Sequence, residues 1–324
     1  MLYQLHKVSR FWGKSSFSIL ILLNLIVLVW VIRGQEDDSN RLPKATVQDS
    51  LSEASSQVIE YTLPESLDFA GEKVPLDQTL VRERLDEVLV ATLYRHANTI
   101  LRYKRAARWF PEIERILKKN KIPDDFKYLT VVESNLQNLV SVKGATGFWQ
   151  FMPETAQEKG LEVSAQVDER YHPMKSTEAA AKYLLQAHRI FKNWTLVAAS
   201  YNMGMRGLKN QLDQQKVDSF YELYLNAETA AYIYHILAIK CIFENPDQYG
   251  YPIEEKDRYQ PIDFKELTIQ TSIPDLVAFA QEQKINYDIL KVYNPWLRSK
   301  SLLITQNTKN YVILIPKNLH NSGN

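Results

Sequence analysis

The pattern of apolar positions along this chain changes character three times. An uncharged run comes first, Ser15 to Ile32, interrupted past its opening serines only by Asn24. From Gly34 to about Pro75 the chain is polar and weakly periodic, with Ser, Asp, Glu and Pro recurring, the composition of a tether. Helical spacing then governs Leu80 to Phe243. A long charged helix is predicted over Leu80–Arg105, with Leu85, Leu89, Leu93 and His96 along one face. A second runs through Ile113, Ile116 and Leu117 and is separated from a third by Asn120 and Pro123. Pro123 suits the first turn of that third helix, Asp124 and Asp125 complement its positive end, and Phe126, Leu129, Glu133 and Leu136 share a face. Ser176 is expected to cap a run to Phe191, Gly204 to end Trp194–Met203, and Asn226 to cap Ala227–Phe243.

After a Pro- and Tyr-rich connector, Asn245 to Pro261, alternation replaces helical spacing. Phe264–Ile269 and Tyr311–Ile315 read as strands, and Ile273–Gln283 and Tyr287–Tyr293 as short helices between them. The chain is therefore expected to be mainly α: an all-α domain at 76–245, a connector at 246–261 and a small α+β module at 262–317. A membrane anchor at 1–33 and a polar linker at 34–75 precede them.

The anchor is inferred from flanks as well as from hydropathy. Lys7, Arg10 and Lys14 precede the apolar run and Glu36-Asp37-Asp38 follow it, which keeps the N-terminus cytoplasmic. Eighteen residues make a transmembrane helix of about 27 Å. A cleaved secretory signal is the alternative, although Trp30-Val31-Ile32-Arg33 offers no small-x-small cleavage site. No Cys follows the run, which excludes a lipoprotein signal. Either reading sends the body of the protein to the periplasm, in the first case anchored in the inner membrane.

Composition narrows the chemistry. With 39 basic and 38 acidic residues among 324, nothing points to nucleic acid. Cys241 is the one cysteine, in an apolar run, so neither an internal disulfide nor a thiolate cluster is available. The six histidines have no metal-ligand spacing, and neither metal nor cofactor is expected.

What chemistry there is concentrates between Glu133 and Pro153. Glu133 falls on the otherwise apolar face of its helix, where lost solvation raises a carboxyl pKa and favours the protonated form. A polar stretch with Ser141 and two glycines follows, and Gln150 lies among Phe148, Trp149 and Phe151. An acid, an amide and aromatic faces are what a site needs to protonate a glycosidic oxygen and hold a sugar. Taken singly each feature has an ordinary structural explanation: a Glu at a helix end reaching water, a turn over a core, a core tyrosine.

Four separated segments make the ordinary explanations harder to sustain. Glu133-Ser134, Gly147-Phe148-Trp149-Gln150 with Met152-Pro153, Ser200-Tyr201-Asn202-Met203-Gly204 and Glu228-Thr229-Ala230-Ala231-Tyr232 occur in this order. The set resembles the lytic transglycosylases of the goose-lysozyme-like superfamily, in particular the membrane-bound murein transglycosylase D group. That resemblance implies a lysozyme-like fold over Ile122 to Phe243 and peptidoglycan as substrate and partner, with protein partners left unknown. Glu133 becomes the sole catalytic acid, and Ser141, Gln150, Met152, Tyr201, Asn202 and Tyr232 line the substrate, Tyr201 orienting Glu133. It further implies cleavage of the MurNAc-β-1,4-GlcNAc bond with formation of a 1,6-anhydroMurNAc end. A lysozyme-type muramidase and a non-catalytic peptidoglycan-binding protein remain as alternatives.

The β-α-α-β order of the C-terminal module resembles a LysM unit, with Gln270-Thr271-Ser272-Ile273-Pro274 where that fold usually has a glycine-rich turn. A glycan tether would raise effective concentration at an insoluble polymer and leave the rate on soluble substrate alone. The alternative is a structural cap packing Phe279, Leu290 and Trp296 against the helical domain.

Overall fold

The computed structural model describes residues 61–305 and 310–317. Its first element is a hairpin, β1 (Asp68–Phe69) and β2 (Glu72–Lys73), closed by Ala70 and Gly71, both at positive φ, as a two-residue type I′ turn requires. Asp125 accepts the Ala70 N–H at 2.7 Å and so holds a non-glycine residue in that conformation. Phe69 and Val74 are buried, and the Glu72 carboxylate accepts the N–H groups of Trp194 and Thr195. The end of the polar segment is thus packed onto the helical domain.

Helix α1 (Thr79–Leu93) stops short of the expected Arg105, and α2 (His96–Lys119) runs straight through Pro111 to join what the pattern suggested were two helices. The break has tertiary causes. The Tyr251 hydroxyl, from the connector, donates to the Leu93 carbonyl at 2.8 Å, and the Tyr251 ring stacks on His96. Thr99 donates its hydroxyl to the Thr92 carbonyl. Free carbonyls at a helix end need such partners, and here a residue over 150 positions away supplies one.

A 3₁₀ turn, Asp124–Phe126, leads into α3 (Lys127–Ser134). Then follow α4 (Pro153–Glu158), α5 (Pro173–Phe191), α6 (Trp194–Met203), α7 (Met205–Gln215) and α8 (Ala227–Glu244). His172 caps α5 in place of Ser176, whose hydroxyl instead donates to the carbonyls of His172 and Pro173. Asn226 caps α8 as expected, accepting from the Thr229 N–H at 3.0 Å. Gly204 ends α6 at φ +81°, on the positive side that favours glycine, but its ψ of 145° lies outside the expected left-handed helical cap, and it opens α7 directly. Helix α8 is apolar almost all round and lies at the centre, against α1, α3 and α6, while α2 packs on α5. Its one buried cation, Lys240, is neutralised by Asp125 at 2.9 Å and Glu244 at 3.0 Å.

The last elements are β3 (Phe264–Ile269), α9 (Leu276–Glu282), α10 (Tyr287–Tyr293) and β4 (Tyr311–Pro316). Strands β3 and β4 pair antiparallel from Phe264↔Pro316 to Ile269↔Tyr311. Leu276, Leu290, Trp296 and Tyr311 form their own small core, which also takes in Val167 from the helical domain.

One part of the expected fold class is corrected. Among the described residues no helix is long and apolar enough to cross a membrane. The longest, α2, has 24 residues and carries charges along its length, and α8 contains Lys240 and is buried inside the domain. The run at 15–32 lies outside the described residues. The transmembrane element is withdrawn, and with it the membrane as partner and the inner membrane as location.

Candidate active site

Glu133 occupies the last turn of α3, half-buried, where the negative end of the helix adds to the cost of a carboxylate. The helix stops sharply because Asn135 and Leu136 both take left-handed conformations, at φ 54° and 55°. Arg102 donates to the Asn135 side chain and Arg105 to its carbonyl, which fixes the turn. Ser134 faces inward, donating to the carbonyls of Thr130 and Phe148, so the acid-bearing turn is tied to the aromatic segment 14 residues on.

That segment is a tight loop. Thr146 and Phe151 exchange backbone hydrogen bonds, and Gly147 and Gln150 stand at φ +83° and +46° between them. Gly147 cannot be replaced: a Cβ there would lie 2.0 Å from the Arg170 carbonyl oxygen. Gln150, a non-glycine residue in a strained region, is held by its own amide, which donates to Gly147 O at 2.8 Å and Leu139 O at 3.1 Å. Trp149 is fully buried and donates its indole N–H to Thr177, and Phe148 packs edge-on against Trp109.

The structure brings Glu133, Tyr232 and Tyr201 together. The Tyr232 hydroxyl donates to Glu133 Oε1 at 2.5 Å. The Tyr201 hydroxyl, expected on Glu133, donates instead to the Trp149 carbonyl at 2.7 Å, although its ring lies close enough to feel the Glu133 charge. Burial pushes the Glu133 carboxyl up to about 7, the Tyr232 hydrogen bond pulls the other way, and the Glu228 carboxylate adds to the rise. Among the described residues no cation lies within ion-pairing distance of it. Both tyrosines are themselves held well above their usual range, chiefly by burial, and stay neutral donors. A carboxyl of this kind keeps its proton near neutral pH and can give it up and take it back.

The remaining expected residues are arranged around the loop. The Ser141 hydroxyl accepts the Ala145 N–H at 2.9 Å. Met152 is exposed at 39 % and precedes α4. Asn202 is half-buried on α6, beside Tyr201.

Sequence reasoning missed the buried pair that holds the loop. Arg170 meets Asp168 through Nε and Nη2, at 2.7 Å for the closest contact, and sends Nη1 to the carbonyls of Gly144 and Phe151 at 3.0 and 3.1 Å. Both side chains are nearly enclosed. An Asp-x-Arg spacing is too common to signal this; the only pointer was the run of three charges, Asp168-Glu169-Arg170, following the apolar Val167.

Comparison with known proteins agrees with the motifs. Residues 111–223, which contain Glu133, Ser141, Gln150, Met152, Tyr201 and Asn202, match the transglycosylase SLT domain. That segment is similar to an SLT domain. Residues 265–319 match the soluble lytic transglycosylase C-terminal LysM-like domain. The chain is 26 % identical over 244 residues to the membrane-bound lytic murein transglycosylase D of Escherichia coli K12, an alignment covering 72 % of this chain and 52 % of the relative. It therefore spans about half the length of that relative. Two solved structures, the lytic transglycosylase Slt of Pseudomonas aeruginosa and the soluble lytic transglycosylase of E. coli, align over 47 % of this chain and 26 % of theirs. Their identities are 21 and 20 % and their TM-scores 0.34 and 0.37, too low to add to the fold described above. At family level the chain is similar to SLT-domain proteins and to murein transglycosylase D, and its C-terminal module is similar to a LysM-like domain. Tyr232, the partner of Glu133, lies outside the matched SLT segment.

Proposed function

We propose that the chain is a lytic transglycosylase acting on the glycan strands of peptidoglycan, with the helical domain at 76–245, a connector at 246–261 and a LysM-like module at 262–317. The observation that carries this reading is the Glu133 carboxyl: half-buried, hydrogen-bonded to a tyrosine hydroxyl, unpaired with any described cation, and raised to about 7.

In this reading Glu133 protonates the oxygen that leaves with the 4-position of N-acetylglucosamine, and the glycosidic bond breaks. The N-acetyl group of the N-acetylmuramic acid stabilises the cationic centre that results. Glu133, now a carboxylate, takes the proton of that sugar's own 6-hydroxyl as its oxygen bonds to the anomeric carbon. The proton is returned, no water is consumed, and a 1,6-anhydro end forms. One acid suffices because the internal nucleophile is already in place. Tyr232 would hold Glu133 in position and favour its carboxylate state in the second half of the cycle. The oxygen of Gln150, whose nitrogen is taken up by two carbonyls, would accept from the sugar, with Ser141, Met152, Tyr201 and Asn202 around it.

A second reading has one observation in its favour. Glu228 lies near enough to raise the Glu133 pKa, and a second carboxylate that could place a water would make a muramidase. Mass spectrometry of purified peptidoglycan digested with the enzyme tests both. The proposal expects anhydro-ended fragments; products heavier by one water would establish hydrolysis, and undegraded sacculi would leave a binding protein.

A further inference from the structure

The C-terminal module does more than sit beside the helical domain: it completes a piece of secondary structure in it. Val167 bridges Leu297 antiparallel, with Asp168 N–H donating to Trp296 O at 2.9 Å and Arg298 N–H to Gln166 O at 2.8 Å. The Gln166 side chain doubles the join, donating to Leu303 O at 3.0 Å and accepting from Leu303 N–H at 2.8 Å. Val167 is fully buried, in the core of the module rather than in that of its own domain. Arg298 lies over the Tyr171 ring at 4.1 Å, and Trp296 is stacked near His172.

The strip gripped in this way, 166–168, is the one that carries Asp168. The Asp168 carboxylate sets the Arg170 fork, and the fork ties the carbonyls of Gly144 and Phe151, on either side of the loop that holds Gln150. The backbone of Arg170 fills the space that only a glycine leaves at position 147. The Phe148 carbonyl in turn receives Ser134, the neighbour of Glu133. An unbroken series of short contacts therefore runs from residues 296–298 of the module to the turn that bears the acid.

We infer that Asp168 and Arg170 are positioning residues for the Gln150 loop and the Glu133 turn, and that the module sets their geometry, so that it governs turnover on any substrate, soluble or not. The inference rests on the proposed activity for its kinetic readout only. It replaces the expectation that a tethering module leaves the rate on soluble glycan untouched.

The test uses the full chain. The double substitution Gln166→Ala and Arg298→Ala loosens the junction without entering either core, and Arg170→Lys keeps the charge while losing the fork that reaches two carbonyls at once. Two quantities are read: backbone hydrogen exchange at Thr146, Gly147 and Phe151, and kcat and KM on a soluble N-acetylglucosamine–N-acetylmuramic acid tetrasaccharide. Exchange at those amides is expected to rise about tenfold, through easier local opening. The kcat is expected to fall about three- to tenfold, a larger change than any rise in KM from the loosened Gln150 loop, because misplacing the acid costs rate. Arg170→Gln should be worse than Arg170→Lys in both. Unchanged exchange and unchanged kcat in the double variant overturn the inference, as does a change confined to KM. If an Arg170 variant fails to fold, as circular dichroism would reveal, the double variant decides alone. A wild-type enzyme inactive on any glycan would refute the proposed function, and the exchange readout would still decide on the brace.

Discussion

Two carboxyl groups bracket the Gln150 loop, and they are given opposite kinds of partner. Asp168 is enclosed with a guanidinium that forks onto it, and its second duty is to aim that guanidinium at two carbonyls. Glu133 is half-buried with a tyrosine hydroxyl as its partner and a neighbouring negative charge, and its pKa climbs to about 7. Both lose solvation; what differs is whether a cation is there to offset the loss. A compensated carboxylate becomes scaffold, fixed and unreactive. An uncompensated one stays able to exchange a proton near neutral pH, and its cost is borne by the fold.

The largest effect that can break this contrast is on turnover. Glu133→Gln removes the exchangeable proton and should lower kcat by about 10²–10⁴-fold, measured on sacculi or soluble glycan, with folding unimpaired. A loss smaller than about tenfold would take the role away from Glu133. Next comes the scaffold side: Arg170→Gln strands a buried carboxylate and should cost about 3–5 kcal/mol in urea unfolding. A cost below about 1 kcal/mol would mean that Asp168 is not dependent on its partner.

Glu133→Gln should also gain stability, with a pH signature. The folded state binds the Glu133 proton more tightly than the unfolded chain between about 4.5 and 7, so wild-type stability falls as pH rises through that window. The glutamine variant should match wild type below about pH 4.5 and exceed it above pH 7 by up to about 3 kcal/mol. Equal stability at pH 8 would contradict the raised pKa.

Two smaller changes sharpen the picture through the alkaline limb of the pH–rate profile, where Glu133 loses its proton. Tyr232→Phe removes a hydrogen bond that favours the carboxylate and should move the limb upward, by about one to two pH units for a bond to a charged group. Glu228→Gln removes a repelling charge and should move it downward, by less because that side chain is exposed. Movement in the same direction for both would show that these groups do not act on Glu133 as described.

How much of this was legible beforehand follows from how local each feature is. Glu133, Gln150 and the Tyr-Asn pair stood out because a carboxyl on an apolar helix face and an amide among aromatics are statements about neighbouring residues. Which tyrosine reached Glu133 was not, since Tyr201 and Tyr232 arrive from different helices and only their packing separates them. The same holds for the end of α1, where Tyr251 reaches back from the connector to the Leu93 carbonyl. Helix α7 turns Met205, Leu208 and Leu212 toward the core, a narrow stripe in eleven mostly polar residues that only Leu208 buries fully. Asp168 and Arg170 acquire meaning only through Gly144 and Phe151, 26 and 19 residues from Arg170 in sequence, and through a module that the alternation of β3 and β4 predicted as a separate unit. The expected anchor at 15–32 falls outside the described residues, and none of the helices described could take its place.

The central claim is that Glu133 is a proton carrier because no cation compensates it, and a titration addresses that directly. The side-chain carboxyl carbon of Glu133 can be followed by carbon NMR in selectively labelled protein from pH 3 to pH 9, with Glu133→Gln assigning the signal. A midpoint near 7, displaced upward in Tyr232→Phe, is what the geometry predicts. A midpoint at or below the ordinary value of 4.5 would mean that the carboxyl is already ionised at neutral pH, and it would contradict the account.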